Sequence, residues 1–523
     1  MARPRGRGQS VTAPTVAHST PQRIVLDSPL TWPQIAAVAD GAPLTLSVAA
    51  QGRIRAARHL VESIVSQGVR AYGVNTGVGA LCEVVIPESK QRELSRNILM
   101  SHAVGLGPPL EAPQVRAIIA AAINNFAHGF SGVRPAVVEQ LLALLGGECV
   151  PQVPASGSVG YLTHMAHIAL VLIGEGRAQL HGRSTSGADA LRSLKLAPLI
   201  LESKEGLSLV NGTACATGLS ATALGRTRRL LDWMDAAAAM TFENLRGQAA
   251  AFDAEALGLR VSAGVALVGE RLRAFLRDSA ILALSAGRRT QDALSLRAIP
   301  QVHGAARDVF AQASRAVDDE LASVTDNPVV AGTVDQPRAL SGANAVGAAL
   351  ALHADSLAVA VAQAAAMSER RLDRLVNPLV SNLPPFLAAD GGAGSGFMIA
   401  QYTAVSLVAQ NRRLAAPASL DGGVTSGLQE DHLCHATPAA LKLLEIIGNA
   451  ESIVAIELLA AAQAYELQRD SAARAAQTDA IYARVRALVP PYRDDRPLGE
   501  DMQRIRELLE EPAESAAESL DGL

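Results

Sequence analysis

The chain has 523 residues, of which 49% are hydrophobic, 3% aromatic and 18% charged, a balance that suits a large Ala- and Leu-rich helical protein. A formal net charge of −4 and an isoelectric point near 6.3 give no reason to expect nucleic acid or an acidic membrane as partner. Cys82, Cys149, Cys215 and Cys434 have neither metal-type nor disulfide-type spacing, which points to a reducing cytoplasm.

Residues 1–22 carry Arg3, Arg5 and Arg7 among Pro, Ser and Thr without an apolar core, and read as a disordered tail rather than a signal peptide. Ordered structure is expected from Ile24-Val25-Leu26, opening an N-terminal active-site domain over 23–210. Within it, Tyr72 sits in a loop punctuated by Gly73, Gly77 and Gly79, which permits closure over a ligand. His102 follows Ser101 at the end of an apolar stretch. A second glycine-punctuated loop, Val153 to Tyr161, runs into an apolar helix closed by Gly174, so free amide donors at the helix start are expected to face a cavity. Tyr161, His164 and His167 recur every three residues and are expected to share a face of that helix. His164 with His167, and His432 with His435, lack an evident third ligand, so no metal is expected.

From 211 to 470 the periodicity is that of one continuous helical bundle. Asn211 follows the apolar Leu207–Val210 at a helix start. Gln291 and Arg297 are spaced for one lining surface, where Arg297 offers a planar fork for a carboxylate. The apolar run from Val346 to Met367 contains His353, Asp355, Ser356 and Gln363, too polar for a membrane span and suited to a helix buried in an oligomer. A small helical cap is expected over 471–523, fraying from Leu508 to Leu523, and no internal repeat is visible. Taken singly, each residue also has a structural reading: a packed turn for Tyr72, a core histidine for His102, a cap for Asn211, a surface pair for Arg297 and a solvated run for Glu430-Asp431.

A set of segments, in fixed order, changes that balance. They are Tyr72–Gly79, Asn97 to Gly107 with its Ser101-His102-Ala103, Phe130–Pro135, Gly157–Gly160, Lys204–Leu207 with Asn211–Thr213, and Gln291-Asp292 with Ser295–Arg297. Asp326–Pro328, Ser368–Arg371, Ser395–Gln401 and Gln429–His432 follow. Together, over about 23–470, they resemble the histidine and aromatic amino-acid ammonia-lyases and the related aminomutases. The resemblance implies a mainly α fold of the fumarase/aspartase-like ammonia-lyase type, with a smaller N-terminal active-site domain and a long central bundle. It also implies a homotetramer whose sites combine residues of neighbouring chains, an arrangement that would cover Ala-rich helices.

The resemblance further assigns roles. Tyr72 would remove the proton from the carbon β to the carboxylate, which a phenolate can do beside cationic groups that lower its usual pKa of about 10. His102 would contact the substrate ring, Asn211 would hold its amine or carboxylate, and Gln291 and Arg297 would line the site. Glu430 matches histidine ammonia-lyase, where the phenylalanine enzyme has Gln. A carboxylate can accept a hydrogen bond from an azole or neutralise a cation, and a phenyl ring needs neither.

The chain departs from the family at its centre. Members follow Gly-Ser-Val-Gly with Ala-Ser-Gly-Asp-Leu-Ala-Pro-Leu-Ala-His, whose Ala-Ser-Gly cyclises to the electrophile methylidene-imidazolone (MIO). Here Gly160 is followed directly by Tyr161-Leu-Thr-His-Met-Ala-His167, as if the cofactor residues were removed. Ala155-Ser156-Gly157 exists upstream, but Gly157 lies ten positions before His167 where the family's Gly lies seven before its His. That offset is about 5 Å along a helix or about 10 Å of extended chain, against chemistry that tolerates about 1 Å. Tyr161 and His164 are expected to refill part of the vacated space. Leu294 replaces a tyrosine, and Ala345, behind Asn344, replaces an aromatic residue, so the same cavity loses bulk.

MIO captures the amine lone pair because ammonia leaves poorly. A trimethylammonium betaine has no lone pair to capture, already carries its charge and needs more room. The combination resembles ergothionase, a family relative that eliminates trimethylamine from ergothioneine. The sequence therefore points to a carbon–nitrogen lyase that eliminates the α-nitrogen of a histidine-like aromatic amino acid or its betaine without MIO, giving a urocanate-type acid. Two alternatives stand beside it: a conventional lyase with MIO from Ala155-Ser156-Gly157, and a non-catalytic ligand-binding descendant. Retention of Tyr72, Asn211, Gln291, Arg297 and Glu430 together speaks against the last.

Overall fold

The structure, a computed structural model, describes residues 22–420 and 422–513. The expected N-terminal tail, but for residue 22, and the last ten residues of the expected frayed end lie outside the described residues. The first element is the strand Ile24–Leu26, paired in parallel with Leu44–Leu46.

Four long helices form the centre: Ala214–Asn244, Ile299–Ala322, Ala348–Val376 and Ala436–Glu466. The longest have 31 residues, about 46 Å at 1.5 Å rise. Alanine dominates their inward faces, and small side chains let the backbones approach closely while still excluding water. The Ala348–Val376 helix is long and apolar enough to cross a membrane by length and composition, yet it packs among the other three and against Met398–Leu414. The core is continuous from Leu26 to Ala513, so the helices Trp32–Ala39 and Ala112–Ala127 pack on Ala214–Asn244 across the expected boundary at 210/211.

Buried charge pins the helices together. Asp235, fully buried, accepts hydrogen bonds from His303 Nδ1 at 2.7 Å and Arg271 Nε at 3.0 Å, and also pairs with Arg307. Glu457 accepts from Arg371 Nε at 2.6 Å, Thr241 at 2.8 Å and Ser368 at 2.5 Å. Each carboxylate has its lone pairs occupied by donors from separate helices, which is what makes a buried charge tolerable.

The C-terminal cap consists of Ala476–Leu488 and Gly499–Leu508. The expectation of fraying from Leu508 fails over Leu508–Ala513: the Trp233 indole donates to the Glu511 carbonyl at 2.9 Å, and Leu508, Leu509 and Ala513 are buried.

Candidate active site

Three loops meet at the end of the N-terminal half. The first carries Tyr72. Ala71 and Val74 anchor it in a small separate apolar cluster with Val61, Ile64 and Val330. Asn75 braces it from within, accepting from Ala71 N at 2.8 Å and donating to the Val69 carbonyl at 2.9 Å. The Tyr72 hydroxyl accepts from Gly79 N at 2.8 Å. Gly79 has φ +57°, and a Cβ there would lie 2.2 Å from Ser426 Oγ, so glycine is required both for the turn and for contact with the loop opposite.

The second loop, 157–162, carries Tyr161. Ser158 Oγ donates to the Tyr161 carbonyl at 2.9 Å and accepts from Gly160 N at 3.1 Å. Leu162 N donates to the Val210 carbonyl at 3.0 Å, and Thr163 N to the Tyr161 carbonyl at 3.1 Å. The last bond closes a γ-turn on Leu162, whose φ of 74° and ψ of −73° are strained for a leucine. Two expectations are corrected here. Tyr161 does not share a helical face with His164 and His167, because the turn ends before the helix Thr163–Leu172 begins and aims Tyr161 elsewhere. The amides of Gly160, Leu162 and Thr163 do not face a cavity, because they are already bonded.

The third loop carries Glu430. Thr425 and Glu430 bond each other at the main chain in both directions, 2.8 and 3.3 Å, and Thr425 Oγ1 donates to Glu430 Oε2 at 2.9 Å. Ser426, Gly427 and Leu428 between them all have positive φ. Downstream, the segment straps onto the second loop: His435 N donates to the Val159 carbonyl at 2.9 Å and Thr437 Oγ1 to the Gly160 carbonyl at 3.0 Å. A Cβ on Gly160 would stand 3.1 Å from Cys434 Sγ.

The result is a group built around Glu430. Tyr161, Tyr72 and His102 lie within range of its charge. No Lys or Arg among the described residues pairs with Glu430. Burial, then Glu430 and Cys82, push Tyr72 above its usual value of 10, with the Gly79 amide opposing. Its described charged neighbours are acidic. Burial, Glu430 and Cys434 push Tyr161 up further, and burial lowers His102.

A second corner adjoins the first through the Leu162–Val210 bond. Asn211 ends the short helix Glu205–Val210 rather than starting a helix, and its Nδ2 donates to the Asn327 carbonyl at 2.6 Å. Asn327 Oδ1 in turn accepts from Gly342 N at 2.7 Å, holding the loop that carries exposed Asn344 and buried Ala345. Gln291, Leu294 and Arg297 are not brought in. They lie at the helix Leu294–Arg297, which packs on Ile299–Ala322 and Ala348–Val376, and no hydrogen bond joins them to Tyr72, Tyr161, Asn211 or Glu430 among the described residues. Leu294 is 64% exposed. Ser158, Thr425, Ser426 and Asn327 position the site without having been singled out. Ser158 and Asn327 lie inside recognised segments, but nothing in the sequence marks Thr425 or Ser426.

Ala155-Ser156-Gly157 occupies a different place. Pro154–Ser156 is a strand antiparallel to Leu106–Pro109, with Ser156 opposite Leu106 and its side chain exposed beside Gly107. An imidazolone closes by bonding the Gly157 nitrogen to the Ala155 carbonyl carbon, which needs a tight turn. Extended chain instead rises about 3.3 Å per residue and holds the two apart. The Ala155 carbonyl is further fixed by His164 Nε2 at 3.0 Å. In this conformation the tripeptide does not fit the group. His164, 1% exposed, thus faces the strand, and His167 Nε2 accepts from Gly105 N at 3.0 Å, so neither histidine faces Tyr72.

The chain belongs to the aromatic amino acid lyase family, whose family model matches residues 30–487, and is a carbon–nitrogen lyase. It is 44% identical to histidine ammonia-lyase of Deinococcus radiodurans over 489 residues, covering 92% of this chain and 93% of that one. The crystal structure of histidine ammonia-lyase from Trypanosoma cruzi superposes with a TM-score of 0.85 at 35% identity, covering 93% of each chain. Ergothionase from Treponema denticola, an ergothioneine-degrading enzyme crystallised with desmethyl-ergothioneine sulfonic acid, gives a TM-score of 0.87 at 27% identity. That match covers 93% of this chain and 98% of that one.

Proposed function

We propose that this lyase eliminates trimethylamine from a histidine-like aromatic betaine without MIO, giving the corresponding α,β-unsaturated acid. The observation that carries the reading is the extended strand at Ala155–Ser156, with Tyr161 rather than a cofactor tripeptide following Gly160. Tyr72, as phenolate, takes the proton from the carbon β to the carboxylate. The C–H electron pair becomes the double bond, and the C–N bond breaks so that trimethylamine departs neutral with its own pair. The bound cation supplies what the described neighbours of Tyr72 lack, since a positive charge nearby favours the phenolate. Asn211 holds the carboxylate end, and His102 and Glu430 face the ring and the cation.

The test is turnover of ergothioneine and of histidine trimethylbetaine against plain histidine, with trimethylamine and ammonia assayed separately. Trimethylamine release supports the reading; ammonia from histidine at a normal rate without betaine turnover defeats it. The second reading, a conventional histidine ammonia-lyase with MIO from Ala155-Ser156-Gly157, is favoured by the 44% identity to a histidine ammonia-lyase. The intact mass of the unfolded chain separates the two, because cyclisation removes two waters.

We also propose a homotetramer in which Gln291, Leu294 and Arg297 serve a neighbouring chain's site. Their distance from Tyr72 in the chain's bonding network and the exposed Leu352, Val359, Ile399 and Tyr402 on adjacent helices support this. Mixing inactive Tyr72→Phe and Arg297→Ala subunits should restore part of the activity; separate sites would restore none.

A further inference from the structure

We propose that the buried Lys204–Asp326 pair is a positioning device for Asn211, turning the open edge of its amide toward the substrate carboxylate. This deepens the reading above and rests on its placing the carboxylate at Asn211. Lys204, Ser208 and Asn211 are spaced i, i+4 and i+7 along the short helix Glu205–Val210, of which Lys204 and Asn211 are the caps. Main-chain bonds from Ser208 N to the Lys204 carbonyl and from Asn211 N to the Leu207 carbonyl carry the helical register through both caps, so the three side chains share one face. The dipeptide Asp326-Asn327 grips that face at each point. Lys204 Nζ donates to Asp326 Oδ2 at 3.0 Å, Ser208 Oγ to the same oxygen at 2.9 Å, and Asn211 Nδ2 to the Asn327 carbonyl at 2.6 Å. Asp326 Oδ1 also accepts from Asn327 N at 2.7 Å, so the carboxylate fixes the very residue whose carbonyl holds Asn211.

A carbonyl only accepts, so the nitrogen of the Asn211 amide is the atom turned to Asn327. Its Oδ1 and second N–H take no hydrogen bond among the described residues, and the side chain is half-buried rather than sealed. That second N–H is the donor a carboxylate needs. The pair behind it is completely buried, both side chains having 0% exposure. Desolvation offsets most of what the attraction of two buried charges returns, and a well-packed apolar pair would hold the fold as well. Apolar contact has no direction, whereas charge-assisted hydrogen bonds fix the positions of the groups they join. Lys204 further adopts a left-handed φ of 71° at the turn from which its side chain reaches Asp326, a conformation that persists only where the surroundings impose it. Asp235 and Glu457 tie long helices to one another; Asp326 lies outside the helices, and its bonds lead to Asn211.

The probes are urocanate, which carries the carboxylate, and its methyl ester, which lacks the charge. Binding to the full-length wild type, Asp326→Asn, Asn211→Ala and the double variant is measured by calorimetry, with thermal melts to confirm folding. Asp326→Asn should weaken urocanate about tenfold and the ester less than about twofold, and on the Asn211→Ala background it should weaken urocanate less than about twofold further. A merely structural pair would weaken acid and ester alike, or act equally on both backgrounds, and either result overturns the proposal. A wild type that binds acid and ester equally, or an Asp326→Asn variant indifferent to both, likewise overturns it. If Asp326→Asn does not fold, Ser208→Ala, which leaves the ion pair in place, decides by the same criterion. An acid-selective loss of about threefold that vanishes without Asn211 supports the proposal, and any other pattern overturns it. Urocanate is the product of a histidine skeleton whichever amine leaves, so the binding result does not depend on the betaine. Ammonia release from histidine alone removes the betaine reading and leaves the positioning of Asn211 standing. Acid binding indifferent to Asp326 removes the positioning and leaves the elimination reading standing.

Discussion

Asp235 and Glu430 are both carboxylates at the centre of a constellation, and they are opposites. Asp235 is buried among Arg307, His303 and Arg271, which hold it well below the usual carboxylate range against burial. Its backbone is regular helix, and its oxygens are taken by Arg271, His303 and Arg307 from other helices. Glu430 is half-buried beside the Thr425 hydroxyl, on a loop with successive positive φ values, and no Lys or Arg among the described residues pairs with it. A carboxylate balanced from every side fixes helices; one held by a neutral hydroxyl would suit the cation of the proposed betaine.

The contrast breaks most severely at its structural end. Asp235→Ala strands buried cations and should cost about 3–5 kcal/mol in chemical unfolding, while Glu430→Gln leaves the unfolding midpoint almost unchanged. Tyr72→Phe should lower kcat/KM by about 100- to 10,000-fold with an unaltered melt, the loss expected for a missing proton acceptor. The pH profile sharpens the same point. With Tyr72 pushed above 10 in the free enzyme, kcat/KM should climb about tenfold per pH unit through neutrality and beyond. The limb in kcat should lie at lower pH, because the bound cation favours the phenolate, and Glu430→Gln should shift the kcat/KM limb downward. A kcat limb above that of kcat/KM would refute the electrostatic account.

Smaller effects test the loops. Gly79→Ala places a Cβ at positive φ and against Ser426 Oγ, so stability should fall by about 1–2 kcal/mol and KM should rise as the two loops part. Leu162→Gly relieves about 1–3 kcal/mol of strain and loses about 0.5–1 kcal/mol to backbone freedom. The melt should therefore stay level or rise slightly while KM for the betaine increases. A fall in stability would show that the γ-turn is not strained.

The bundle was legible because it depends on an apolar period, and the family segments drew attention to the Tyr72 loop, Asn211 and Glu430. Tyr161 was misplaced for a definite reason: a three-residue recurrence implies a helical face only if the helix includes it, and leucine gives no warning of positive φ. The upward shift of Tyr72 was also out of reach, since it arises first from burial and then from a carboxylate on a loop distant in sequence. The same holds for the strand at Pro154–Ser156, whose partner Leu106–Pro109 contains two prolines and has no strand pattern of its own.

The strap between Gly160 and Thr437 has a bearing on how the enzyme comes into being. It joins residues 277 apart, whereas the Thr425–Glu430 closure is local. Local contacts form early in folding, and long-range ones wait until the intervening chain has collapsed. The Glu430 hairpin can thus be present long before the Tyr161 loop is fixed, and the site is completed only when Gly160 has met the start of the Ala436–Glu466 helix. A chain still emerging from the ribosome remains inert toward substrate until residue 437 is free to close the strap, whatever fraction of its helices has already formed.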